Sequence, residues 1–424
     1  MSRTSLALSH ARGLAIALVV SAHAVLAYLQ YQPHPALAFA SPPYAWRVVP
    51  IIDAQHWIGF DLFCGLQFVV LMPFMFFLSG LFVWTSLSRR GSRTFVRDRL
   101  IRIGIPFIIG VYLLMPLAYY PVYRVGAVDP SWSAFWAQWK ALPFWASGPL
   151  WFLWQILVLD VAAAVLLSLA GERLVHAAGK AVDFPGRYFA ALAAVSILAY
   201  VPFAAIFNPG DLDQIGPFAF FPSRTLHFVV FFFAGVVVGI GGIDDGLLRS
   251  DGILARRWAL WSSLTLVGWV AWMLLTALAM ETAPLGIGPV PHVGILADLV
   301  FALASMAGCS AFAAVFLRFS ASRRPAAESL SDNAYGIYLI HYPFVVWLQY
   351  LLLRSTLPAV AKASIAFAGA LLLSWAIASA LRRTSIGALV IGAGRRTKSS
   401  TDRSHREKVG RPAGDRAAGA ASPS

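Results

Sequence analysis

Long apolar runs, each closed by a short polar or basic break, recur along the chain from residue 13 to residue 381. A helix that crosses a bilayer needs about 20 mostly apolar residues. On that scale the runs predict ten helices, at 13–30, 62–84, 103–120, 149–170, 188–206, 226–243, 258–280, 293–317, 335–353 and 358–381. The expected fold class is all-α, a polytopic membrane helix bundle in which residues 1–382 form one domain. From residue 383 onward Arg, Ser, Ala and Gly prevail and large apolar side chains are few. Residues 383–424 are therefore expected to be a disordered basic cytoplasmic tail. The first run is too long for a signal-peptide core and is read as a retained helix.

Composition agrees with a chain that lives in lipid. The 424 residues are 59% hydrophobic and 12% charged, about half the charge of a soluble domain. A net charge of +14 raises the question of nucleic acid. The basic residues, however, lie in short clusters between apolar runs, with no basic face interleaved with aromatics, which argues against it. With the N-terminus inside, cytoplasmic segments hold 27 of the 33 Lys and Arg. The outer segments hold six: Arg47, Arg124, Lys140, Arg224, Arg354 and Lys362. That bias predicts both termini in the cytoplasm. Cys64 and Cys309 both fall inside apolar runs, so no disulfide framework and no metal site is expected. The chain carries no P-loop, no GxSxG elbow and no HExxH.

Several polar residues stand out against this background. Arg12 and His23 are eleven residues apart, which places them on one helical face about 16 Å apart along the axis. An ionisable group at the depth of His23 is costly and usually faces a cavity or a partner. Neutral imidazole suits general-base work; the plainer reading is a core histidine bonded to a neighbouring helix. Asp160 lies ten residues into a helix that begins near Leu150 on the outer side, hence about 15 Å deep. At that depth it either stands beside His23, where a carboxylate would fix the imidazole tautomer, or bonds a backbone or hydroxyl group elsewhere. Arg99 and Arg102, at spacing i, i+3, either grip phosphate oxygens or serve as cytoplasmic anchors. His341 either lines the same cavity as His23 or bonds within the bundle, and His227 reads as interfacial. Trp151, and Trp132, Trp136, Trp139 and Trp145 in an outer stretch, would anchor in headgroups or stack on a sugar.

Five segments in order carry a family resemblance: Arg12 followed after ten residues by His23, Met72-Pro73-Phe74-Met75-Phe76-Phe77-Leu78-Ser79-Gly80, the basic Arg97–Pro106 segment, Leu150-Trp151-Phe152-Leu153, and Tyr335-Gly336-Ile337-Tyr338-Leu339-Ile340-His341. Together they resemble acyltransferase family 3, bacterial membrane enzymes that modify O-antigens, peptidoglycan and periplasmic glucans. The Met-Pro-Phe-rich second helix looks closest to the glucan-modifying branch. The resemblance implies an acyl group taken from cytoplasmic acyl-CoA, as co-substrate and without another cofactor, and delivered to a hydroxyl of a cell-envelope glycan or sugar. His23 would act as base or transient acyl carrier, and Arg12 would steady the donor or hold His23 through a network. Arg99 and Arg102 would bind the donor phosphates. The rival is a secondary transporter of a polar or glycolipid solute that uses His23, Asp160 and Arg12 as a proton relay. Against it, Pro73 in the second helix has no counterpart at a corresponding later position.

Overall fold

A computed structural model describes residues 2–32, 39–244, 246–280, 291–320, 322–384 and 387. All ten expected long helices are present among them. In chain order the elements are α1 (Arg3–Tyr28), α2 (Ile58–Arg90), α3 (Ser92–Gly126), α4 (Trp132–Ala141), α5 (Gly148–Leu169), α6 (Glu172–Lys180), α7 (Pro185–Ile206), α8 (Thr225–Gly241), α9 (Trp258–Ala279), α10 (Pro291–Phe319), α11 (Pro325–Leu352) and α12 (Ala359–Leu381). A small antiparallel ribbon pairs Asp213–Ile215 with Phe218–Phe220 between α7 and α8. Among the described residues, eight helices are long and apolar enough to cross a membrane. Of the other two, α8 has only 17 residues, and α11 carries four tyrosines, His341 and Gln349. The chain is a multi-pass membrane protein. The tail expected beyond residue 383 lies, apart from Arg383, Thr384 and Gly387, outside the described residues.

Helix ends run past the apolar runs because capping, not hydropathy, sets them. The Ser2 side chain accepts from the Ser5 amide and starts α1 ten residues before the run begins. In α3, two π turns, Leu100–Gly104 and Gly110–Leu114, each end two residues before a proline, Pro106 and Pro116. A proline lacks an amide hydrogen and crowds the carbonyl four residues back; widening the preceding turn relieves that contact and keeps the helix continuous.

The Ser79-Gly80 end of the second motif is explained by packing. A Cβ on Gly80 would overlap the Phe232 carbonyl, one on Gly235 the Phe77 carbonyl, and one on Gly239 the Leu81 carbonyl. Three glycines therefore let the backbones of α2 and α8 touch, the small-residue packing that replaces the hydrophobic effect between helices in lipid. Gly235→Leu is expected to destabilise the bundle by roughly 3 kcal/mol or more. Gly186→Ala, with nothing within 4 Å of the added atom, is expected to be neutral. Thermal unfolding of the solubilised protein checks both, and equal midpoints would refute the packing account.

The helices α1 and α11 lie side by side and parallel. Arg12 meets Ser331, His23 meets His341, and the Gln349 amide donates to the carbonyls of His23 and Ala24 at 2.9 and 3.1 Å. The connection from α1 to α2 folds back on the end of α1. The Asp53 amide donates to the Ala27 carbonyl at 3.0 Å, and the Asp61 carboxylate accepts from the amides of Gln30 and Tyr31. Lys362 of α12, counted above among outer charges, is 1% exposed and grips Asp53 at 2.9 Å.

Of the outer tryptophans, Trp132 is exposed, whereas Trp139 is buried and Trp145 donates to the Val111 carbonyl. With Phe39, Trp46, Tyr119 and Phe135 they form an aromatic cluster that seats α4 on α3. His227, expected at the interface, is fully buried and bonds the Ser196 hydroxyl at 3.1 Å.

Candidate active site

The centre of the site is a pair of imidazoles. His341 Nδ1 lies 2.7 Å from the Tyr338 carbonyl one turn back on α11, and His341 Nε2 lies 3.1 Å from His23 Nδ1. A carbonyl oxygen only accepts, so the neutral His341 must carry its hydrogen on Nδ1 and present a lone pair at Nε2. His23 must then donate from Nδ1, and its own lone pair is left on Nε2. The Val19 carbonyl, one turn back on α1, also bonds the His23 ring and in this assignment shares the Nδ1 hydrogen, which leaves Nε2 without a partner among the described residues. His341 is fully buried while His23 is partly exposed. The edge of the Tyr342 ring closes one side of His23, with centroids 5.4 Å apart.

His23 opens on a cavity of about 310 Å³. Its walls are mostly apolar, from Leu71, Met75, Phe152 and Phe228, with Trp151, Gln67, Arg47 and Arg224 among the lining residues. Val48 and Gly210, both exposed, also line it, so the cavity reaches the face formed by the helix connections. Burial lowers the basicity of the Arg47 guanidinium, which Tyr119, Asp213 and Tyr44 oppose. Gly148 and Pro149 line the cavity too, in a short 3-10 turn. The Pro149 carbonyl accepts from the Tyr338 hydroxyl, so irregular backbone reaches mid-bundle where it faces a cavity, the place where lipid-embedded proteins tolerate it. At Gly148, φ is +48° and an added Cβ would meet Met115 Sδ at 2.8 Å, so only glycine fits.

The tyrosines of the last motif share the face of α11 that bears His341. Tyr335 donates to the Arg102 carbonyl at 3.0 Å, Tyr338 to Pro149, and Tyr342 meets the Tyr119 hydroxyl at 3.3 Å. Spacing of three and four residues places these groups on one stripe, which ties α3 and α5 to α11, the helix that bears His341. Trp151 packs against Phe221 and Phe228 and lines the cavity.

Asp160 is not beside His23. Its carboxylate lies 3.1 Å from Arg99 Nε and is 1% exposed, and neither oxygen makes an aligned hydrogen bond. The expected depth was measured from the wrong level. The start of α5 is sunk in the bundle at Pro149, level with Tyr338, so eleven further residues carry Asp160 about 16 Å beyond, toward the Arg12 end. The orienting partner of His23 is His341.

Arg99 and Arg102 do not act as a matched pair either. The π turn that begins at Leu100 changes the residues per turn between them, so the i, i+3 alignment of a regular helix is lost. Arg99 is partly buried against Asp160 and the Phe95 ring, whereas Arg102 is exposed. Arg12 donates to the carbonyl and hydroxyl of Ser331 at 3.2 and 3.1 Å, with Ser9 bonded to the same hydroxyl at 2.7 Å. This network holds α1 against α11 and does not reach His23. Arg12, Arg99, Arg102 and Asp160 are all absent from the cavity lining.

Sequence reasoning missed four participants: Arg47, Arg224, Gln67 and Gln349. The two arginines were readable only as scattered outer charges. Gln67 and Gln349, polar residues inside apolar runs, were the signal available for the others. Among the described residues no group of three His, Cys, Asp or Glu could hold a metal ion. Cys64 and Cys309 are both free and buried.

An acyltransferase domain, acyltransferase family 3, matches residues 5–379. No curated protein and no solved structure matches the chain.

Proposed function

Because the chain belongs to acyltransferase family 3 and is a membrane acyltransferase, we propose that it moves an acyl group from cytoplasmic acyl-CoA to a hydroxyl of a cell-envelope glycan or sugar at the outer face of the bacterial inner membrane. The glucan-modifying branch remains the narrower reading, carried by the Met-Pro-Phe sequence of α2. The observation that supports the chemistry most is the Tyr338–His341–His23 chain, which leaves one unpartnered nitrogen lone pair on the residue that lines the cavity.

In this reading His23 Nε2 accepts the proton of the acceptor hydroxyl as its oxygen attacks the thioester carbonyl. The tetrahedral intermediate collapses, the carbon–sulfur bond breaks, and the imidazolium returns the proton to the departing thiolate. The Nδ1 hydrogen of His23 stays on its bond to His341, and the Tyr338 carbonyl stabilises the positive charge that develops along the pair. His341 is thus a positioning residue, which takes the orienting role once expected of Asp160. Arg102, free of a carboxylate partner and exposed, is the better placed of the two arginines to meet donor phosphates, while Arg99 with Asp160 fixes the π-turned start of α3. Arg12 serves by holding α1 in register with α11, which sets His23 opposite His341. The basic-residue bias places the Arg12 end in the cytoplasm, and the parallel course of α1 and α11, the first and ninth of the ten long helices, fits an alternating traverse with both termini on that side.

The experiment is transfer of labelled acyl groups from acyl-CoA to endogenous glycan in oriented membrane vesicles. Label is expected in glycan on the outer face when acyl-CoA is supplied on the cytoplasmic face. Movement of an unmodified solute without any acylation would favour a transporter and refute this reading. A labelled protein trapped before transfer, and lost in His23→Ala, would make His23 an acyl carrier instead of a base.

A further inference from the structure

Two guanidinium groups share the cavity with His23, and nothing in the transfer chemistry above uses them. Arg47, in the connection between α1 and α2, and Arg224, just before α8, both line it. Among the described residues no Asp or Glu does, and none places a carboxylate within 4 Å of either arginine. Each is held by aromatic faces instead. The Arg47 guanidinium lies 4.7 Å from the Phe144 ring centroid and 5.9 Å from that of Tyr44. Arg224 lies 4.9 Å from Phe68, 5.7 Å from Phe301 and 5.9 Å from Phe221. Ring faces orient a cation without using its hydrogen-bond donors; Arg47 Nε donates to the Tyr44 carbonyl at 3.4 Å and Arg224 bonds the Tyr200 hydroxyl, which leaves further N–H groups on each fork. Burial in a small, mostly apolar space disfavours the Arg47 charge, and an anion bound there would offset that cost.

Unused polar atoms at the same place sharpen the picture. Arg224 Nε is buried with no hydrogen-bond partner, and so is Gln67 Oε1, on a residue 8% exposed that lines the cavity. Tyr200, through a side-chain hydrogen bond, and Asp298 and His227, through their charge, are neighbours of Arg224, and none of the three is among the lining residues. The cavity volume sits at the lower end of the roughly 300–1,000 Å³ of small-molecule sites. That is room for one sugar-sized unit, not a long chain.

We propose that Arg47 and Arg224 form an anion subsite beside His23, and that the acceptor unit bound there carries a carboxylate or phosphate on its sugar. This deepens the functional reading above and rests on its placing the acceptor in this cavity. The guanidinium forks would take the anion by paired hydrogen bonds. Gln67 would accept from a neighbouring hydroxyl, and a remaining hydroxyl would face His23 Nε2. The arrangement selects acidic or phosphorylated sugars over neutral ones, because a neutral ring would leave both cations unmatched in an apolar wall.

The test is equilibrium binding to the full chain in lipid nanodiscs with three probes: glucuronate, glucose 6-phosphate and glucose. Both anionic sugars are expected to bind at least tenfold more tightly than glucose. R47Q and R224Q are each expected to remove most of that preference while leaving glucose binding within twofold and the unfolding midpoint unchanged. Equal affinity for the three sugars, or no binding of either anionic one, overturns the subsite. Should R224Q unfold, R47Q alone still decides, since its guanidinium rests on a connecting segment. An anion preference found only for acyl-CoA thioesters, with a dicarboxylic acyl group bound more tightly than a neutral one, would place the charge on the donor and overturn the acceptor assignment. None of these measurements requires acyl transfer, so a failure of the catalytic reading would show separately, as transfer that is indifferent to His23.

Discussion

Alanine in place of His23 is expected to lower acyl transfer by about 10²–10⁴-fold, the usual worth of a positioned general base. The loss should fall on kcat far more than on KM, because the proton transfer occurs only in the transition state. The fold should survive the change. His23 is partly exposed at a cavity wall, and α1 stays bound to α11 through Arg12, Ser9 and Gln349. His341→Gln should show a smaller loss of the same kind. It keeps a polar group at the position but no longer enforces which His23 nitrogen carries the hydrogen. A mutant pair in which His341→Gln lost activity and His23→Ala did not would reverse the two roles.

The second large effect concerns stability. Lys362 and Asp53 form an ion pair in which both side chains are 1% exposed, with Nζ 2.9 and 3.0 Å from the two carboxylate oxygens. Lys362→Met removes one partner and strands a buried carboxylate, at a cost of about 3–5 kcal/mol. A well-packed apolar replacement of both, Asp53→Leu with Lys362→Met, should recover a large part of that loss. Thermal midpoints of the solubilised single and double variants measure it, and additive losses in the double variant would contradict the coupling. The pair also bears on the site. It pins to α12 the connection that carries Arg47 to the cavity, so Lys362→Met should loosen that wall even where the protein remains folded.

The helix count was legible because bilayer thickness imposes a length that local sequence reports directly. The stripe Tyr335, Tyr338 and His341 was legible as a motif, and the structure supplies its physical reason: each polar tip ties α11 to a different neighbour. Depth was harder to read. Asp160 was placed by counting from an assumed membrane boundary, and α5 begins well inside the bundle. The spacing of Arg99 and Arg102 assumed a regular helix, whereas Pro106 brings a π turn between them. Lys362 looked like an outer charge because its partner, Asp53, is 309 positions away. The same distance problem hid the imidazole pair, since His23 and His341 meet only when the first and ninth of the ten long helices pack together. Local pattern thus gave the elements, and partners across the bundle needed the structure.

Chemical rescue tests the role of His23 most directly. In His23→Ala, the lost side chain extends a cavity that already reaches the surface, so free imidazole should enter and occupy the vacant position. The account predicts that added imidazole restores acyl transfer in a saturable way, while His341→Gln, which keeps His23, gains nothing. A His23→Ala protein that stays folded and remains inactive at every imidazole concentration, or that transfers acyl groups as well as the parent without it, would contradict the account.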